Sequence, residues 1–133
     1  MRSVSRQPEG TAVSRDIVVQ DLPLGIQSVE DIPDDFLPQP LAVTRSQVLG
    51  LLQAVAPRCD VSDPSFVTIE APGKYHIEVN LGTSEQLESF VFHVRGGREA
   101  EQLIMRILDR LNVRALDSEN ESGLFSPDDV PAG

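Results

Sequence analysis

The strongest constraint in this chain is a change of hydrophobic period between neighbouring stretches. Tyr75, Ile77, Val79 and Leu81 alternate with His76, Glu78 and Asn80, and further on Phe90, Phe92 and Val94 alternate with Ser89, Val91, His93 and Arg95. A repeat of two puts alternate side chains on opposite faces of a strand, so both stretches predict strands with one core face and one wet face. Ala100, Leu103, Ile104, Ile107, Leu108 and Leu111 then recur at the spacing of one helical face, with Met105 off the stripe. Gly96 and Gly97 punctuate the switch, and Asn112 can close the helix in a left-handed conformation.

A second helix is predicted at 45–56. Thr44 and Gln47 have the capping-box spacing, Val48, Leu51, Leu52 and Val55 form an apolar stripe, and Pro57 stops its continuation. The Asp60 to Ser65 stretch favours a turn, residues 66–70 read as a strand, and Ala71, Pro72 and Gly73 end it. Residues 113–116 predict a last strand, beside which 123–125 can return as a hairpin, and residues 16–20 can add a short first strand. The sum is α-β-β-β-α-β, an α+β two-layer sandwich. A largely antiparallel sheet should carry both helices on the face of Val67, Ile69, Ile77, Val79, Phe90 and Phe92.

A length of 133 residues fits one core. The expected domain runs from 16 to 126, with 1–15 and 127–133 disordered for want of periodic apolar residues. Within it, Pro23, Pro33, Pro38 and Pro40 punctuate a connector at 21–43, where Leu22, Leu24, Ile26, Phe36 and Leu37 are available as apolar anchors.

The net charge is -10, with 21 acidic against 11 basic residues. Its distribution matters more than its size. Residues 16–43 hold six acidic groups and no basic one, while 44–116 is nearly balanced. Lys74 is the sole lysine, which disfavours binding to nucleic acid. No apolar run approaches the ~20 residues of a membrane span, and the first residues lack the apolar stretch of a secretory signal. Cys59 is the only cysteine, so no intrachain disulfide can form, and a reducing cytoplasm is the expected compartment.

The wet sheet face holds the chemistry. Matching the buried faces of the two central strands leaves two registers, one pairing His76 with His93 and one pairing Glu78 with His93 and His76 with Arg95. Either brings His76, Glu78, His93 and Arg95 together, with Thr68, Glu70, Asn80 and Ser89 at the rim. Two imidazoles and a carboxylate can bind a metal or move a proton, but a flat open face excludes water poorly. His76, Glu78, Asn80, His93 and Arg95 are therefore read as a binding surface, with no catalytic residue, metal or cofactor assigned. Gly96, Gly97 and Arg98 form a strand-to-helix turn whose amides can hold an anion, although the spacing is not that of a nucleotide loop.

Strings such as Asp60-Val61-Ser62-Asp63-Pro64-Ser65-Phe66, Ile77-Glu78-Val79-Asn80-Leu81-Gly82 and Phe92-His93-Val94-Arg95-Gly96, with Ala115-Leu116-Asp117, are similar to those of small bacterial α+β proteins of unassigned function. The resemblance covers about residues 36–125 and carries over no catalytic residues; toxin-neutralising immunity proteins are a more distant comparison. The function expected first is a non-enzymatic protein-binding module, an inhibitor or accessory factor whose acidic flanks suit a basic partner. The alternatives are a metal- or anion-dependent enzyme using the open face, and a homo-oligomer in which that face pairs with itself.

Overall fold

The structure is a computed structural model that describes residues 14–56 and 58–125. Its strands are β1 (Ser14–Gln20), β2 (Cys59–Asp60), β3 (Phe66–Ala71), β4 (Tyr75–Asn80), β5 (Ser89–Gly96) and β6 (Ala115–Asp117). Its helices are α1 (Arg45–Val55) and α2 (Arg98–Leu111), with one 3-10 turn at Val29–Asp31. All strand pairs are antiparallel, in the order β2-β3-β4-β5-β1-β6. The α+β class and the β3-β4-β5 meander agree with the sequence reading.

The sheet order differs from that reading in two places. The optional first strand is an interior one: β1 lies between β5 and β6, pairing with β5 from Ser14↔Arg95 to Gln20↔Ser89 and with β6 from Ile17↔Asp117 to Val19↔Ala115. It starts at Ser14, so Ser14 and Arg15 belong to the sheet and not to a frayed end; residues 1–13 and 126–133 lie outside the described residues. At the other edge, Asp60 leaves the expected turn to pair with Thr68, and Cys59 before it pairs with Ile69. The 123–125 return is a single bridge, Leu116↔Leu124, backed by a hydrogen bond from the Phe125 amide to the Ala115 carbonyl.

Both helices start and stop for local reasons. The Thr44 hydroxyl accepts from the Gln47 amide while the Gln47 side chain accepts from the Thr44 amide, so the capping box is complete. Asn112 closes α2 at φ 57°, and the Val113 amide reaches back to the Leu108 carbonyl. Val48 and Leu52 of α1 and Leu103, Ile104 and Ile107 of α2 share one core with Ile17, Val19, Val67, Ile69, Ile77, Val79, Phe90 and Phe92. Phe90 and Phe92 meet edge to face at 5.6 Å between ring centroids.

A second, smaller core lies under the connector, where Leu22, Ile26 and Leu124 pack with Ile32 and Leu116. Leu24 and Leu37, by contrast, are exposed by 96% and 76%, so only some of the expected anchors hold the connector down. Arg114 ties it further by donating to the Pro23 and Ile26 carbonyls, and the Val29 amide donates to the Ser122 carbonyl. Gly123, at φ 79°, has no room for a side chain there: a Cβ would lie 2.5 Å from a Val29 methyl.

Arg15 locks the β1 end. Its guanidinium lies 2.9 Å from Glu101 of α2 and 3.2 Å from Asp117 of β6, and sits over the Phe125 ring at 5.9 Å. Asp117 is buried, and its other oxygen accepts from the Glu119 amide at 3.0 Å. A buried carboxylate without its cation is costly, so Arg15→Ala should destabilise by about 1–3 kcal/mol, with Asp117→Asn in that background restoring part of the loss. Ile104→Ala should cost about 2–5 kcal/mol because it empties fully buried volume, whereas half-buried Met105→Ala should cost clearly less. Denaturant unfolding of the four variants checks both expectations.

Candidate functional site

The face of the sheet turned away from the main core is organised in rows set by strand register. One row runs Glu70–His76–Arg95–Ser14, the next Asp60–Thr68–Glu78–His93–Asp16, and the third Phe66–Asn80–Val91–Val18–Leu116. Of the two registers left open by the sequence, the one pairing Glu78 with His93 and His76 with Arg95 is adopted. The structure thus brings His76, Glu78, His93 and Arg95 into adjoining rows. Asn80 falls in the third row among apolar neighbours, outside the charged group.

Both histidines are engaged by carboxylates. His76 Nδ1 lies 3.3 Å from Glu70 Oε2 and its Nε2 3.3 Å from Glu78 Oε2, an arrangement in which only the imidazolium donates to both. His93 Nδ1 lies 2.7 Å from Asp16 Oδ1. Asp16 is the member of the cluster that sequence reasoning missed, because nothing in residues 16–20 says which strand they join. Among the described residues, no group of three or more His, Cys, Asp or Glu side chains is arranged to hold a metal ion. Cys59 is half-buried, and burial, with the neighbouring Asp60 charge, raises its thiol above the ordinary value, which opposes a nucleophilic thiolate.

Gly96, Gly97 and Arg98 join β5 to α2, but Gly96 is explained by packing. Its φ is 153°, and a Cβ there would meet the Tyr75 Cβ at 2.6 Å and the Ala100 Cβ at 3.1 Å. Gly96 thereby lets β4 and the first turn of α2 close on each other. Glu99 and Glu101 already set negative charge in that first turn, which offsets the attraction of the helix end for an anion.

Concavity lies elsewhere. A cleft of about 590 Å³ is formed where the end of α1, the β3-β4 turn and the first half of α2 meet, and smaller ones of about 480 and 200 Å³ lie beside the β6 end. None of these three is lined by His76, Glu78, His93 or Arg95. No helix among the described residues is long and apolar enough to cross a membrane. The chain matches no family model, no curated protein and no solved structure.

Gly96→Ala should lower stability by roughly 1–3 kcal/mol, since the Tyr75 backbone-proximal carbon has little freedom to retreat. Gly50→Ala, in α1 with open space around a built Cβ, should instead raise it by up to about 1 kcal/mol. Thermal melts of the two variants give opposite signs if the close approach at Gly96 is what that residue serves.

Proposed function

We propose that this protein is a non-enzymatic protein-binding module that meets its partner through the open sheet face. The reading takes both helices to lie on the buried face, leaving the other free for contact except at Leu116, which packs under the connector with Leu22 and Ile26. The observation that carries it is the order of rows: half-buried Val18 and Val91 lie side by side in the third row, with part-exposed Phe66 beyond Asn80, directly beside the charged row of Glu78, His93 and Asp16. An apolar centre bordered by polar, orientable groups is the anatomy of a protein interface. A flat face with its histidines already held by carboxylates offers little to enclose and activate a small substrate.

The partner proposed is basic. Arg95 is exposed at the margin of the face, where it can take a partner carboxylate in bidentate fashion and fix orientation. The acidic connector, with no basic residue between 16 and 43 and with Leu24 and Leu37 exposed, extends the same complementarity. Inhibitor, immunity-like or accessory roles in a bacterial cytoplasm all use such a surface, and self-pairing of the face is the outcome to be distinguished.

Affinity capture from the native cell, repeated with Phe66→Ala/Val91→Ser and with His76→Ala/Arg95→Ala, tests the proposal. A specific partner should be retained by the wild type and weakened by ~1 kcal/mol or more in each double variant, with thermal stability little changed. Undiminished capture by both variants would place the interface elsewhere, and concentration-dependent dimerisation abolished by the same changes would replace the partner with a second copy.

A further inference from the structure

The cleft between α1, the β3-β4 turn and α2 has a chemistry opposite to that of the chain as a whole. Arg58, Lys74 and Arg106 line it against only two carboxylates, Glu70 and Glu99, in a protein whose net charge is -10. Neither carboxylate neutralises the two arginines. Glu70 is turned to His76 at 3.3 Å, and Glu99 faces Lys74 at 3.8 Å. Among the described residues, Arg58 and Arg106 make no ion pair.

Apart from the neutral amide Gln102, the rest of the lining is mostly apolar: Val55 from α1, Ala71 and Pro72 at the turn, Leu103 from α2, and Tyr75. Glu99, Leu103 and Arg106 fall on one helical face by their spacing, so α2 alone presents a charged head position and an apolar wall. Tyr75 reports the same electrostatics, since burial and then Glu99 raise its phenol above the ordinary value while Arg106 works in the opposite direction. The volume of about 590 Å³ lies within the range of small-molecule sites, roughly 300–1,000 Å³.

We propose that this cleft binds a small amphiphilic organic acid, its carboxylate held by Arg58 and Arg106 and its apolar body laid along Val55, Leu103 and the Tyr75 ring. Guanidinium groups without a protein counter-ion favour a planar carboxylate, and the apolar wall contributes only for a ligand with a hydrocarbon body. The site is separate from the proposed protein-binding face and does not depend on it.

Tyr75 is the only tyrosine and the chain has no tryptophan, so intrinsic emission reports the cleft directly. The full chain is titrated with octanoate, 1-octanol and acetate, following Tyr75 fluorescence and, on the same samples, calorimetric heat. Octanoate should bind saturably, with octanol and acetate at least tenfold weaker, and Arg106→Gln or Arg58→Gln should weaken octanoate at least tenfold while leaving the thermal midpoint in place. If one variant fails to fold, the other serves. No saturable heat with octanoate, equal affinity for octanol, or wild-type affinity in the folded variants would overturn the proposal.

Discussion

The structure depends on the insertion of β1 between β5 and β6. Among the described strands, β6 pairs with β1 alone, so without β1 the sheet would end at β5 and the segment after α2 would have no ladder to join. The same strand buries Ile17 and Val19 in the main core, sends Arg15 to Glu101 and Asp117, and places Asp16 against His93. Each of these contacts joins residues far apart in sequence, so loop-closure entropy is lost before any of them forms. The pair of half-buried Arg15 and buried Asp117 then favours one docking of the first strand over slipped alternatives, since a shift by one residue would turn Arg15 to the other face.

What was legible in the sequence is what local interactions decide. The Thr44–Gln47 box, the stripe through Ile104 and the alternation around Ile77 and Phe92 each state a period or a cap within a dozen residues, and the corresponding elements stand where they were expected. Register and strand order are decided by distant partners. The link between β4 and β5 is too long for a tight hairpin turn to fix the pairing, so the Glu78–His93 register was one of two. Val18 and Val19 read as a strand without naming its neighbours, and Cys59 pairs with Ile69 only because β3 presents an edge there. In the connector no period separates Leu22 and Ile26, which are buried, from Leu24, which is not; the difference lies in Leu116 and Leu124, about ninety to a hundred residues further on. The candidate site was half legible for the same reason: β4 and β5 supplied His76, Glu78, His93 and Arg95, while Asp16 came from the strand whose place was unknown.

The cleft was invisible in the sequence, since Arg58, Lys74 and Arg106 belong to three different segments and none lies in a basic run. Its position also matters for how a strongly acidic chain can hold an anion at all. The overall negative field repels anions at long range and is screened within about 8–10 Å at physiological ionic strength. Inside that distance the nearest guanidinium groups and the apolar wall dominate, so a ligand with hydrocarbon to bury gains what an inorganic ion does not. For the basic partner proposed for the open face the long-range and short-range effects would have the same sign, since the acidic connector and the row of Glu78 and Asp16 both carry negative charge. Glu70 stands at the boundary of the two surfaces, lining the cleft with its carboxylate 3.3 Å from His76 Nδ1. A carboxylate turned to His76 on the sheet face is one that pairs with neither arginine of the cleft, so strand register, which sets His76 opposite Glu70, also bears on the charge left in the cleft.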